Sequence, residues 1–187
     1  MDIRSLFVAG ALTLAAGSAN AATLDFTELG SGTIPGATAS VTGADLISGG
    51  NSFFVSAAGI SNSICALNSS GFHCANDLTI NFTSSVTNLV FQTGGYESGD
   101  LAKLSIFGLG GALTSIVDIA SNGIVDLTSY GTITSLFFDD QSTAAGMTYG
   151  NFNFSVATSA IPVPAALPLL LTGLGGIWLA GRRKKAA

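Results

Sequence analysis

The sequence predicts an all-β body, a jelly-roll-like β-sandwich, set between two apolar ends. Three observations predict it. Short runs through the body alternate apolar and polar residues with a period of two, which places one face of each run in a core and the other in water. Glycine, asparagine and serine gather between those runs at close intervals, the spacing of turns in antiparallel sheets. No part of the body carries apolar residues at helical spacing with the caps a helix needs.

The alternation is clearest at 23–27 (Thr-Leu-Asp-Phe-Thr), 78–82 (Leu-Thr-Ile-Asn-Phe) and 102–106 (Ala-Lys-Leu-Ser-Ile). Runs at 38–41, 52–56, 88–92, 115–119, 124–127, 133–138 and 151–156 complete the predicted strands. Turn chemistry separates them at Gly49-Gly50-Asn51, Gly94-Gly95, Ser121-Asn122-Gly123 and Ala144-Ala145-Gly146. Asn-Gly suits a two-residue turn that needs positive φ, so Asn122-Gly123 predicts a hairpin joining 115–119 to 124–127. Gly108-Leu109-Gly110-Gly111 lacks the third spaced glycine and the following helix of a dinucleotide loop, and predicts a hairpin turn.

The ends carry transport signals. Arg4 followed by the apolar run 6–16 and the small-x-small triplet Ala19-Asn20-Ala21 predicts a secretory signal peptide over 1–21, cut by signal peptidase. Residues 160–187 hold a proline-spaced segment (Pro162, Pro164, Pro168), an apolar run at 165–181 and the basic cluster Arg182, Arg183, Lys184, Lys185. Since a bilayer's hydrocarbon takes about 17–25 helical residues to cross, that run predicts a short transmembrane helix at the lower limit. The cations hold the C-terminus in the cytoplasm and leave the body, 22–159, outside as a single domain.

With both ends removed, Lys103 is the one cation against ten carboxylates. Such a body repels nucleic acid and anionic membrane surfaces, because counterion release needs lysine and arginine. Divalent cations and neutral sugars are better partners. The scarcity of charge does not signal disorder, since apolar residues make up 48% of the chain and are patterned.

The tail's order of parts, with Ile161, Pro162, Val163, Pro164 and Ala165 leading into the apolar run and the basic stop, resembles the PEP-CTERM class of bacterial sorting signals in its VPLPA-CTERM variant. The resemblance implies an exosortase, a membrane-embedded transpeptidase-like enzyme, as partner, transient anchoring in the inner membrane, and delivery to the cell surface or an extracellular matrix. A plain C-terminal anchor is the alternative; Gly173, Gly175 and Gly176 suit it less well than a flexible enzyme substrate. The stretches 86–100 and 125–140 resemble the β-sandwich ectodomains common among PEP-CTERM proteins.

Within the body, Cys65 and Cys74 predict a disulfide in an oxidising compartment. A zinc site built on them and His73 falls short of four ligands, His73 being the only histidine. Carboxylates on glycine-rich turns are what Ca²⁺ takes, and Asp25, Glu97, Asp100, Asp139 and Asp140 form the candidate pool, with solvated turn carboxylates as the plainer reading. No catalytic residues are assigned: a serine triad would have to use His73, and Gly95-Tyr96-Glu97-Ser98-Gly99 has its serine one place late for a nucleophile elbow. Tyr96, Tyr130 and Tyr149 are candidates for stacking on sugar rings or for half-buried positions at strand ends. The chain is therefore expected to be a non-enzymatic structural or adhesive protein of the envelope or exopolysaccharide matrix. A calcium-dependent carbohydrate-binding module is the alternative, and a polysaccharide hydrolase a more distant one.

Overall fold

The structure, a computed structural model, describes residues 20–56, 60–69, 73–142 and 145–157. They belong to one compact unit spanning Ser18–Ala157. The signal peptide up to residue 19, the sorting motif at 161–165, the apolar run 165–181 and the basic cluster lie outside the described residues.

Antiparallel strands dominate: β1 Ala21–Thr23, β2 Gly32–Pro35, β3 Thr38–Val41, β4 Ala44–Ser48, β5 Ser52–Val55, β6 Ser63–Ala66, β7 Leu78–Gly94, β8 Ala102–Phe107, β9 Leu113–Ile119, β10 Gly123–Asp126, β11 Ile133–Asp140 and β12 Thr148–Val156. Among the described residues the only helical pieces are short 3-10 turns at Phe26–Leu29, Leu109–Gly111 and Thr128–Tyr130. The all-β expectation holds, and the arrangement is sandwich-like.

The predicted strands 78–82 and 88–92 are one strand. β7 organises the fold by serving both layers. Its first half pairs with β4 (Leu46↔Ile80) and β11 (Phe138↔Leu78), and its second half with β12 (Tyr149↔Thr93) and β10 (Val125↔Phe91). Val86 stands at the crossover, opposite Ile133 on one side and Val156 on the other. β8 and β9 extend the first layer from β11; β6, β5 and β2 extend the second from β12, and β1 lies beside β12.

Two asparagines keep β7 and β12 in register. Asn151 on β12 (φ 52) and Asn88 on β7 (φ 53) each insert one extra residue, and the pairing shifts by one at the first and returns at the second. Asparagine tolerates this left-handed backbone better than other non-glycine residues, so each is a β-bulge in place. The bulge at Asn151 keeps Tyr149 and Phe152, three apart, on the same inner face.

The core between the layers is aromatic. Phe91 stacks on Phe152 at 4.9 Å and meets Phe138 edge-on at 5.6 Å, while Tyr149 stacks on Phe138 at 4.0 Å. All four are at most 1% exposed. Phe138 comes from the first layer and the other three from the second, so this cluster ties the layers together, with pair terms of about 0.5–1.5 kcal/mol beyond area burial.

Three sequence expectations are corrected. The alternating run 23–27 is β1 only as far as Thr23; Asp25 then accepts hydrogen bonds from the Thr27 N–H (3.0 Å) and Oγ1 (2.6 Å) and starts a 3-10 turn. Asn122-Gly123 does not close a hairpin, because β9 pairs with β8 and β10 with β7, so the dipeptide turns the chain from one layer to the other. The Asn122 side chain is used elsewhere: its Oδ1 accepts the Tyr96 N–H at 2.8 Å. Tyr149, offered as a sugar-stacking residue, is in the core, because the bulge turns it inward; Tyr96 and Tyr130 are partly buried and pack against the same core. The turn at Gly108 to Gly111 does join β8 to β9 as a hairpin.

Candidate functional site

Cys65 and Cys74 form the expected disulfide, with Cα atoms 5.3 Å apart. Cys65 is buried in β6, which has no exposed face. Cys74 donates its N–H to Ala145 O at 2.7 Å and forms an isolated bridge with Gly146, just before β12. Gly146 has φ 71, and a side chain there would run into the Cys74 carbonyl, so only glycine allows this approach. The disulfide thereby ties β6 to the start of β12. His73 is an exposed loop residue beside it.

That end of the sandwich, where β7, β8 and β12 begin and β11 ends, collects carboxylates. The alternation that turns Leu104 and Ala102 inward carries back two places to Asp100, which is 3% exposed. Likewise, Phe138 points inward and Asp140 lies two places further along the same strand. Asp140 and Ala102 are register partners, so the two carboxylates stand at adjacent strand ends on the inward side, Asp100 buried and Asp140 half-buried. Tyr149 comes to the same place from the opposite layer through its stacking on Phe138.

Hydrogen bonds fix one oxygen of each acid. Asp100 Oδ2 accepts the Glu97 N–H at 2.9 Å, closing a tight turn. Asp140 Oδ1 accepts the Ser142 N–H at 2.9 Å, and the Asp140 N–H donates to Asp77 Oδ1 at 3.2 Å. The other oxygens, Asp100 Oδ1 and Asp140 Oδ2, together with Tyr149 Oη, are buried and have no hydrogen-bond partner.

The electrostatics follow from burial among like charges. Burial pushes the Asp140 carboxyl above the usual range; the Ser142 hydrogen bond and the nearby Met147 backbone oppose this, and Asp100 adds to the rise. Asp77 is also raised, first by burial and then by Asp139, against the bond from Asp140. The Tyr149 phenol is pushed well above its ordinary value by burial, with Asp140, Asp100 and Asp77 adding to it.

The five carboxylates of the candidate calcium pool are not all brought together. Asp100 and Asp140 stand on the inward side of adjacent strand ends. Asp139 lies on the opposite face of β11, with Lys103 as its cross-strand partner, and Lys103 pairs at 2.9 Å with Asp118. Glu97 is exposed on its turn, and Asp25 caps a 3-10 turn elsewhere. Among the described residues no three His, Cys, Asp or Glu side chains approach closely enough to form a metal cage of their own. Asp77 and Tyr149 were not singled out for this role by sequence reasoning. Asp77 precedes its strand and carries no alternation signal, and the place of Tyr149 depends on the bulge at Asn151.

Two surface clefts have none of Asp77, Asp100, Asp140 and Tyr149 in their walls. One, of about 310 Å³, is walled by Gly49, Gly50, Asn51, Ser52, Asn68 and Asn76, all uncharged. The other, of about 340 Å³, lies along 117–125 and has Asp118 as its single carboxylate. Neither presents the facing carboxylate pair that glycoside hydrolysis uses. Among the described residues no helix is long and apolar enough to cross a membrane. No protein-family model matches the chain, and neither a curated protein nor a solved structure matches it.

Proposed function

We propose that the chain is an exported protein of the bacterial envelope or exopolysaccharide matrix with a structural or adhesive role, its body delivered by the signal peptide and sorted by the PEP-CTERM-like tail through an exosortase. The observation that carries this reading is the Cys65–Cys74 disulfide, since such bonds persist in oxidising compartments and are rare in the cytosol. The anionic, lysine-poor body supports a role among neutral polymers rather than nucleic acids. β1 lying beside β12, which brings the two ends of the body together, supports the jelly-roll-like reading of the sandwich. Fractionation of the native host tests the proposal: the protein belongs in the envelope or matrix fraction with its thiols oxidised, and recovery from the cytosol with free thiols would overturn it.

A second reading, a carbohydrate-binding domain, is favoured by one observation. The cleft beside the disulfide is walled by amides, two serine hydroxyls and glycine backbone, the uncharged donors and acceptors that sugar hydroxyls need. Glycan addition should then raise the melting temperature by mass action on the folded state. A purely structural protein would not respond.

A further inference from the structure

We propose that Asp100 and Asp140, facing Tyr149 at the end of the sandwich, hold one hard cation, and that the cation is calcium. The proposal rests on neither reading of the body's role. Two inward carboxylates each present an oxygen without a partner, and Tyr149, 1% exposed and from the opposite layer, presents a third. A buried oxygen left without a partner is costly, more so when charged, so a group of them at one end of the sandwich calls for an occupant. Asp77, bonded to the Asp140 backbone, adds negative charge to the same region.

Among the described residues no cationic side chain stands there. Among the described residues the only lysine is Lys103, which pairs with Asp118 on the outer face. A bridging water would satisfy the oxygens yet leave two anions side by side, whereas a cation answers both problems at once. The donors are all oxygen; both cysteine sulfurs are committed to the disulfide and His73 is exposed in its loop. Oxygen-only donors select calcium or magnesium over zinc or copper. With two carboxylates and one phenol from the chain, most ligands must be water or backbone carbonyl. Calcium's larger, flexible shell accepts that more readily than magnesium's strict octahedron. The affinity should be that of extracellular calcium modules, with Kd of about 10⁻⁴–10⁻³ M.

The experiment uses the purified full-length chain, stripped with EDTA. Titration with CaCl₂ should raise the melting temperature by about 5 °C at about 10 mM, by mass action on a site of that affinity. NaCl at equal ionic strength should give less than half of that shift. Asp100→Asn and Asp140→Asn should each abolish the calcium shift while melting, without calcium, no lower than the parent protein. Terbium in place of calcium should give tyrosine-sensitised emission that saturates at one ion per chain and falls on Tyr149→Phe, a readout available even if an asparagine variant fails to fold. The proposal is overturned if calcium leaves the melting temperature unchanged, if NaCl reproduces the shift, if both asparagine variants keep it, or if terbium emission does not saturate at one ion.

Discussion

Breaking the Cys65–Cys74 link should lower stability by an amount that its sequence separation sets. The two cysteines are 9 residues apart. The chain-entropy relation for a loop of that size gives about 2.6 kcal/mol near room temperature. At about 3–4 °C per kcal/mol for a body of this size, the melting temperature should fall by about 8–10 °C. Cys65 is fully buried, so the variant to make is Cys65→Ala with Cys74→Ala, since serine would bury an unpaired hydroxyl at β6. Alanine also removes sulfur packing, a further loss of about 1 kcal/mol. Reducing the parent protein with dithiothreitol separates the two effects, because it opens the loop and keeps both sulfur atoms. Urea unfolding followed by far-ultraviolet circular dichroism should place the reduced parent near the loop value and the double alanine variant somewhat lower. A reduced parent within about 1 kcal/mol of the oxidised one would refute the reasoning, by showing that the link does not restrain the unfolded chain.

Three further outcomes are expected. Phe91→Ala, at the meeting point of Phe138, Tyr149 and Phe152, should cost about 3–5 kcal/mol in denaturant unfolding. Asn88→Val should cost about 1–2 kcal/mol, while Asn88→Gly stays within about 1 kcal/mol of the parent, because the left-handed backbone at the bulge excludes β-branched residues. In EDTA, stability should fall as pH rises through the raised Asp140 value: the folded state holds that proton more tightly than the unfolded chain, so the contribution is full at acid pH and lost toward neutrality. Asp140→Asn should remove this loss, and its melting temperature should pull ahead of the parent's as pH rises; a constant gap across the range would contradict the assignment.

Much of the sheet was legible where one face meets water. The runs at 102–106 and 133–138 appear as β8 and β11 because their alternation matches their burial, residue by residue or nearly so. β6 was not legible, since all four of its residues are buried and no alternation survives. β2 reads Gly-Thr-Ile-Pro, too short and too rich in turn residues to announce a strand. β4 was obscured by Ile47, an apolar residue on its exposed face. The Asn122-Gly123 signal was sound as turn chemistry; which layer the next strand joins is decided by β7, far back in the chain. The same holds for the carboxylate cluster. Asp100 and Asp140 were visible as acids near strand ends, but their convergence depends on β8 and β11 being neighbours, and Tyr149 reaches them only through long-range packing.

The sheet body is expected to act outside the cell after losing both apolar ends. The predicted signal cut after Ala21 would remove the first residue of β1 and leave Ala22 and Thr23 paired with Phe154 and Asn153. Intact mass spectrometry of the protein recovered from the native envelope or matrix fraction tests it most directly. The expected mass lacks the first 21 residues and the tail beyond the proline motif, and is smaller again by two hydrogens for the disulfide. A full-length mass carrying two free thiols would contradict it.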